Sequence, residues 1–307
     1  MEVQVLSRAQ MKSPLIVITG PTATGKSALA VELARRFNGE IISADSRQVY
    51  RGLDIGSAKI TDDEMGGIPH HLIDVADPKY DVFTVAQFQE MATKKIAEIV
   101  NRGKLPIICG GTGMYISAVI DGTEFPEVPP NPELRASLES LSPEELFEKL
   151  NQLDPARADG IDRHNPVRLI RAIEIAVALG SVPKLNHANS PYDVLLIGLK
   201  LPKDELDERI AQRVNRRIPA LFEEICGLLA RGVSSEQLRR FGLEYRYGHD
   251  YVVGDLLLPE FIETLVTRTI QFAKRQMQWW KRDERIIWLN PITEYQKILN
   301  VVQEFLG

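Results

Sequence analysis

Gly20-Pro21-Thr22-Ala23-Thr24-Gly25-Lys26-Ser27 follows the pattern G-x-x-x-x-G-K-[ST]. Such a loop turns backbone N–H groups inward, and a helix beginning at its end adds the positive potential of its N-terminus. Lys26 adds a mobile cation for a phosphate, and Ser27 a hydroxyl suited to Mg²⁺. The pattern therefore points to a bound diphosphate or polyphosphate. Nucleotides, ATP included, fall within that class, but the loop alone does not name one.

Two further points belong to the same chemistry. Asp45 follows the apolar run Glu40 to Ala44, so it sits at the C-terminal end of a strand, where open α/β sheets bind ligands. A carboxylate there can hold Mg²⁺ or take a proton from a substrate amine or hydroxyl; it can also be a simple helix cap. Gly110-Gly111-Thr112-Gly113 ends another strand, and its glycines permit close approach of a ligand to the backbone. His70-His71 reads as structural.

Basic residues cluster twice. Arg209, Arg213, Arg216 and Arg217 fall in one short segment without an acid. Arg268, Lys274, Arg275, Lys281, Arg282 and Arg285 surround Phe272, Trp279 and Trp280. Cations interleaved with aromatics suit a nucleic-acid backbone and stacked bases, and equally suit a solvated helix whose aromatics enter the core.

The elements that must position these residues are legible from patterning. Leu15 to Thr19 reads as a strand buried on both faces, and Ser27 to Phe37 as an amphipathic helix. Glu40 to Ala44 is a second strand, Val85 to Arg102 a helix, and Pro106 to Cys109 a third strand. This alternation predicts an α/β fold: a P-loop core with a mostly parallel sheet flanked by helices. The proline-rich stretch Phe125 to Pro132 breaks the pattern, and no strand signal returns until Val194 to Leu199. Residues 125–190 are therefore expected to form an all-helical insertion domain in a core of 14–124 and 191–307, after an N-terminal extension, 1–13. Helices over Lys203 to Arg231 and Pro259 to Arg282 and a strand at Ile286 to Leu289 complete the core.

The chain's 307 residues, 44% of them hydrophobic, are enough for a sizeable core. Its 37 Lys and Arg against 42 Asp and Glu give a net charge of −5, which argues against whole-surface affinity for nucleic acid but leaves room for a local basic patch. The two cysteines, Cys109 and Cys226, have no metal-ligand spacing. The longest uncharged run, Leu105 to Ile120, is too short to span a bilayer. A cytoplasmic protein without membrane contact, monomeric by default, is the simplest expectation.

The combination resembles the tRNA dimethylallyltransferase family, also called isopentenyl-diphosphate:tRNA transferases, in its bacterial form. The matching segments are GPTATGKS at 20–27, ADSRQVYRGLDIGSAK at 44–59, GIPHHLIDV at 67–75, CGGTGMY at 109–115, DRHNPVRLIRAIEI at 162–175 and FAKRQMQWWKR at 272–282. Their order along nearly the whole chain makes the resemblance specific. It implies transfer of a dimethylallyl group from dimethylallyl diphosphate to N6 of adenine 37, in tRNAs that read codons beginning with U. The loop 20–27 would then bind the donor's diphosphate, with Mg²⁺ at Ser27. Lys26, Asp45 and Arg213 would be catalytic, Asp45 as general base toward a base flipped out of its stack. Asp45, Ser46, Arg47, Gln48, Thr112, Arg135 and the run Val167-Arg168-Leu169-Ile170-Arg171 would contact the tRNA, the insertion gripping the anticodon stem-loop. Arg47 stands where the family often has an apolar residue. A small-molecule kinase would also explain the loop and Asp45, but leaves the basic–aromatic helix and Arg168 and Arg171 without a role. A tRNA-binding module without activity would have no use for an intact Lys26, Ser27 and Asp45.

Overall fold

In a computed structural model of the chain, residues 12–187 and 190–307 are described. The expected N-terminal extension lies outside them except for Lys12 and Ser13, and Ser13 already belongs to the first strand. The strands are β1 (Ser13–Thr19), β2 (Gly39–Ser43), β3 (His70–His71), β4 (Leu105–Cys109), β5 (Thr123–Glu124), β6 (Asn186–His187), β7 (Tyr192–Leu199) and β8 (Ile287–Leu289). Six of them form one sheet in the order β3-β2-β4-β1-β7-β8, and every neighbouring pair is parallel.

Why β1 lies inside the sheet follows from its side chains. Leu15 and Val17 enter the apolar layer on one face, with Phe88, Ile96, Ile116 and Trp280. Ile16 and Ile18 enter the layer on the other, with Leu29, Leu33, Ile298 and Val302. All four β1 residues are fully buried, as a strand covered by helices on both faces requires. The covering helices include Lys26–Arg36 and Val85–Asn101. The second starts at a capping box in which Thr84 and Gln87 satisfy each other's backbone N–H groups.

The chain divides into two compact units: Met1–Gly122 with Asn189–Gly307, and Thr123–Ala188. The second shares most of its residues with the insertion expected at 125–190. Its helices Pro132–Leu138, Pro143–Leu153, Pro155–Asp159 and Pro166–Leu179 each begin with proline. Asn131, Ser142, Asp154 and Asn165 cap them, each accepting a backbone N–H from the first turn. Leu146, Leu150, Leu169 and Ile173 fill its core. Contrary to the all-helical expectation, a short antiparallel pair, β5 with β6, is part of this unit. Two residues per strand are too few to leave a periodic signal in sequence.

In the first unit, the long helix Lys203–Ala230 packs with Leu243–Val252 and Leu258–Trp280 around Val214, Leu221, Ile225, Tyr245 and Phe261. Val49 and Leu53, from the segment that follows Asp45, join that cluster. Among the described residues no helix is long and apolar enough to cross a membrane.

Candidate active site

Three loops leave the C-terminal ends of adjacent strands. The loop 20–27 follows β1, Asp45 lies two residues beyond β2, and Gly110 to Thr112 follow β4. Their backbones are tied together: Gly110 N–H donates to Ile18, Ala44 N–H to Cys109, and Thr112 N–H to Ala44, at 2.8–3.1 Å. The parallel sheet alone therefore brings together residues that are far apart in sequence.

The loop 20–27 has the conformation its sequence calls for. Gly25 caps the following helix with φ 87°, a left-handed value that glycine adopts without strain. Thr24 Oγ1 and Lys26 Nζ each donate to the Pro21 carbonyl at 2.8 Å, folding the loop onto itself. Asp45 is held by its own turn. Its Oδ1 accepts N–H groups from Arg47 at 2.8 Å and Gln48 at 3.4 Å, which commits one carboxylate oxygen to the turn and leaves Oδ2 outside it. Thr112 Oγ1 accepts the Ser46 N–H at 3.0 Å. Gln48 bonds Ser43 and the Ala58 carbonyl, so it braces the segment 43–58.

These loops open on a cleft of about 990 Å³. Thr22, Ala23, Gly25, Lys26 and Ser27 line it, together with Asp45, Ser46, Arg47, Gln48, Thr112 and Arg213. Gly20, Pro21 and Thr24 stand behind the lining and shape the loop. Arg209, Arg216 and Arg217 also face the cleft, so this half of the basic sequence is a wall of the site. In a chain of net negative charge, Lys26, Arg47, Arg209, Arg213, Arg216 and Arg217 outnumber Asp45, Glu64 and Glu244 along this cleft.

The cations of the cleft are held uncomfortably close and out of water. Burial pushes the Lys26 ammonium down to about 8, and the Arg213 charge adds to that effect. Burial also lowers Arg213, and burial together with Arg213 lowers Arg217 to about 10. Partly enclosed cations that repel one another are relieved by a bound anion. Glu244, raised by burial although Arg213 and Arg217 oppose the shift, also lines the cleft. Burial pushes the neighbouring Cys109 thiol up to about 11, which makes it a poor nucleophile.

Other expected residues divide by unit. Arg135, Val167, Arg168, Leu169, Ile170 and Arg171 all belong to the helical unit. Leu169 is fully buried in that unit's core, so its side chain is packing and not an RNA contact. Arg135 grips the buried Glu174 carboxylate through two bonds of 2.8 Å, and Arg171 joins them at 3.3 Å. These two guanidinium groups neutralise a core carboxylate. Val167 and Arg168 are exposed.

The C-terminal basic–aromatic segment is mixed in the same way. Trp280 is core and Arg285 is paired with Asp121 and Asp283, while Phe272 and Trp279 are exposed. His71 is structural, bonded to Glu40 at 2.7 Å, although His70 borders the cleft. Sequence reasoning did not find Glu244 or Gln276 in the site. Glu244 lies in no segment singled out for its chemistry, and Gln276, although it falls within the segment 272–282, is neither basic nor aromatic; the packing of their helices brings both to the cleft.

Residues 48–283 match the model of the family described as IPP transferase. The chain is 41% identical over 303 residues to a tRNA dimethylallyltransferase of Anoxybacillus flavithermus, an alignment covering 96% of this chain and 97% of that protein. Among solved structures it resembles a full-length tRNA isopentenylpyrophosphate transferase from Bacillus halodurans, with TM-score 0.72 and 40% identity, covering 96% of each chain. It also resembles a eukaryotic dimethylallyltransferase captured acting on tRNA, with TM-score 0.80 and 26% identity, over 96% of this chain and 79% of that one.

Proposed function

The chain belongs to the IPP transferase family, and from that membership we propose that it moves the dimethylallyl group of dimethylallyl diphosphate onto N6 of adenine 37 in tRNAs reading codons that begin with U. The observation that carries the reading is the opening of Asp45, the loop 20–27 and Arg213 on one cleft. A base, a diphosphate cradle and a cation for the leaving group are what the transfer needs.

N6 of the flipped adenine attacks C1 of the dimethylallyl group, and the C1–O bond breaks with its electron pair leaving on the diphosphate. The N6 proton passes to Asp45, whose free oxygen Oδ2 can accept it while Oδ1 keeps the turn in place. As charge grows on the departing diphosphate, the N–H groups of the loop, Lys26 and Arg213 stabilise it.

The hydroxyl of Ser27 would suit a magnesium ion brought with the donor. Ser27 is exposed at the cleft, and among the described residues no group of three His, Cys, Asp or Glu forms a protein cage. Ser27 would hold the ion beside the donor's oxygens; when bound, Mg²⁺ supplies further charge neutralisation of the leaving group. The tRNA anticodon stem-loop is the proposed partner, with Ser46, Arg47, Gln48 and Thr112 near the reacting base and Arg168 on the helical unit.

The test is incubation of purified protein with unmodified tRNA, Mg²⁺ and labelled dimethylallyl diphosphate, with and without ATP. Label in an anticodon-loop adenosine without ATP is expected. ATP-dependent phosphorylation of a small acceptor, with no label in tRNA, would move the chain to the kinase class.

A further inference from the structure

Two of the three loops at the cleft floor are joined by one side-chain amide. Gln276, on the helix Leu258–Trp280, is 8% exposed. Its Oε1 accepts the Thr22 N–H of the loop 20–27 at 2.9 Å. Its Nε2 donates to the Gly111 carbonyl of the loop after β4 at 3.0 Å. Both ends of the amide are therefore used, as a buried amide requires, and each loop is fixed against the other.

The fit is tight on the Gly111 side. A Cβ on Gly111 would run into Gln276 Nε2. Gly111 has no left-handed φ, so a side chain there meets no backbone demand of its own, but the Gln276 amide would have to shift to admit it. The neutral amide is also the group the geometry needs, because it presents one acceptor and one donor from a single plane. A carboxylate could accept from Thr22 but would meet the Gly111 carbonyl with a like partial charge.

We propose that Gln276 is a positioning residue for the diphosphate. By spanning Thr22 and Gly111 it sets the separation between the loops 20–27 and 110–112, and with it the width of the cradle that receives the donor and stabilises its leaving group. The proposal rests on reading the loop 20–27 as that cradle, and it assigns Gln276 no contact with either substrate.

The test compares wild type with Gln276→Met, which keeps length and removes both hydrogen bonds, Gln276→Glu, which keeps only the acceptor, and Gly111→Ala. Inorganic diphosphate binding is measured by calorimetry, donor KM and kcat by transfer, tRNA Kd by filter binding, and Tm by calorimetric scan. Each variant should raise the donor KM and the diphosphate Kd about tenfold or more, leave tRNA Kd within about twofold, and shift Tm little. Because Gly111→Ala and Gln276→Met break the same bridge, the double variant should be no worse than the worse single one. Unchanged donor KM and diphosphate Kd in both Gln276 variants would overturn the proposal, as would a raised tRNA Kd with donor KM intact. Failure of the wild type itself to bind diphosphate would instead overturn the cradle reading beneath it.

Discussion

Under the proposed function Asp45 and Lys26 divide the chemistry between them, and each should fail in its own way. Asp45→Asn keeps an oxygen to accept the Arg47 N–H but cannot take a proton. It should therefore lower kcat by about 10²–10⁴-fold, with tRNA Kd nearly unchanged. Parallel losses in tRNA affinity and turnover would mean that Asp45 holds RNA and does not act as base. Lys26 carries a signature in pH. With the free-enzyme ammonium held at about 8 by burial and the nearby Arg213, it is charged below that pH and neutral above it. Diphosphate binds the charged form, so kcat/KM for the donor should fall above about pH 8, by up to tenfold per unit. The bound diphosphate restores the charge, and kcat should stay flat over the same range. A decline that persists unchanged in Lys26→Met would assign it to another group.

At the scale of elements, the parallel sheet is the device that assembles the site, and Glu40 is one of its anchors. Glu40, on β2 and 3% exposed, accepts from His71, Arg102 and Lys104 at 2.6–3.0 Å. Burial alone would raise its carboxyl, but bonds from His71, Lys104 and Arg102 outweigh it and hold the group at about 2. A depressed folded value contributes stability above the ordinary carboxylate range and loses it as pH falls from about 4.5 toward 2. Glu40→Ala should cost about 3 kcal/mol at pH 7, the low end for a broken buried pair because Arg102 and Lys104 can turn to water. Urea midpoints against pH should show the gap to wild type closing below about pH 4. The helix Val85–Asn101 offers a smaller case: Thr84→Ala removes its cap and should cost about 1 kcal/mol in the same assay.

For the whole molecule, the distribution of charge decides the behaviour toward RNA. The chain is acidic overall, so its affinity for tRNA depends on local cations and should weaken steeply with salt. For contacts to single-stranded phosphates the logarithmic slope is about −0.7 for each phosphate neutralised. Arg168 is exposed on the helical unit, unlike Arg135 and Arg171, whose guanidinium groups face Glu174. Arg168→Ala should weaken tRNA binding, flatten the salt slope by about 0.7 and leave donor KM alone. An unaltered slope would remove Arg168 from the RNA surface.

How much of this was legible in the amino-acid sequence follows from the range of each interaction. The loop 20–27, the strands around it, Asp45 at a strand end and the family resemblance are all local, since each depends on residue types within one short segment. The starts of helices are local in the same way, since the cap at Ser142 and the proline at Pro143 lie within one turn of each other. The pair β5–β6 was not legible, because two residues carry no period. Nor was the burial of Leu169, or the engagement of Arg135 and Arg171 by Glu174, because helical spacing names a face without naming what covers it. The tertiary structure alone decided the order β2-β4-β1 that sets three loops side by side. It alone placed Glu244 and Gln276, two side chains from late helices, among loops that the first half of the chain had built. Sequence patterning records what a segment can do alone, whereas hydrogen bonds across more than a hundred residues exist only once the core has brought their partners together.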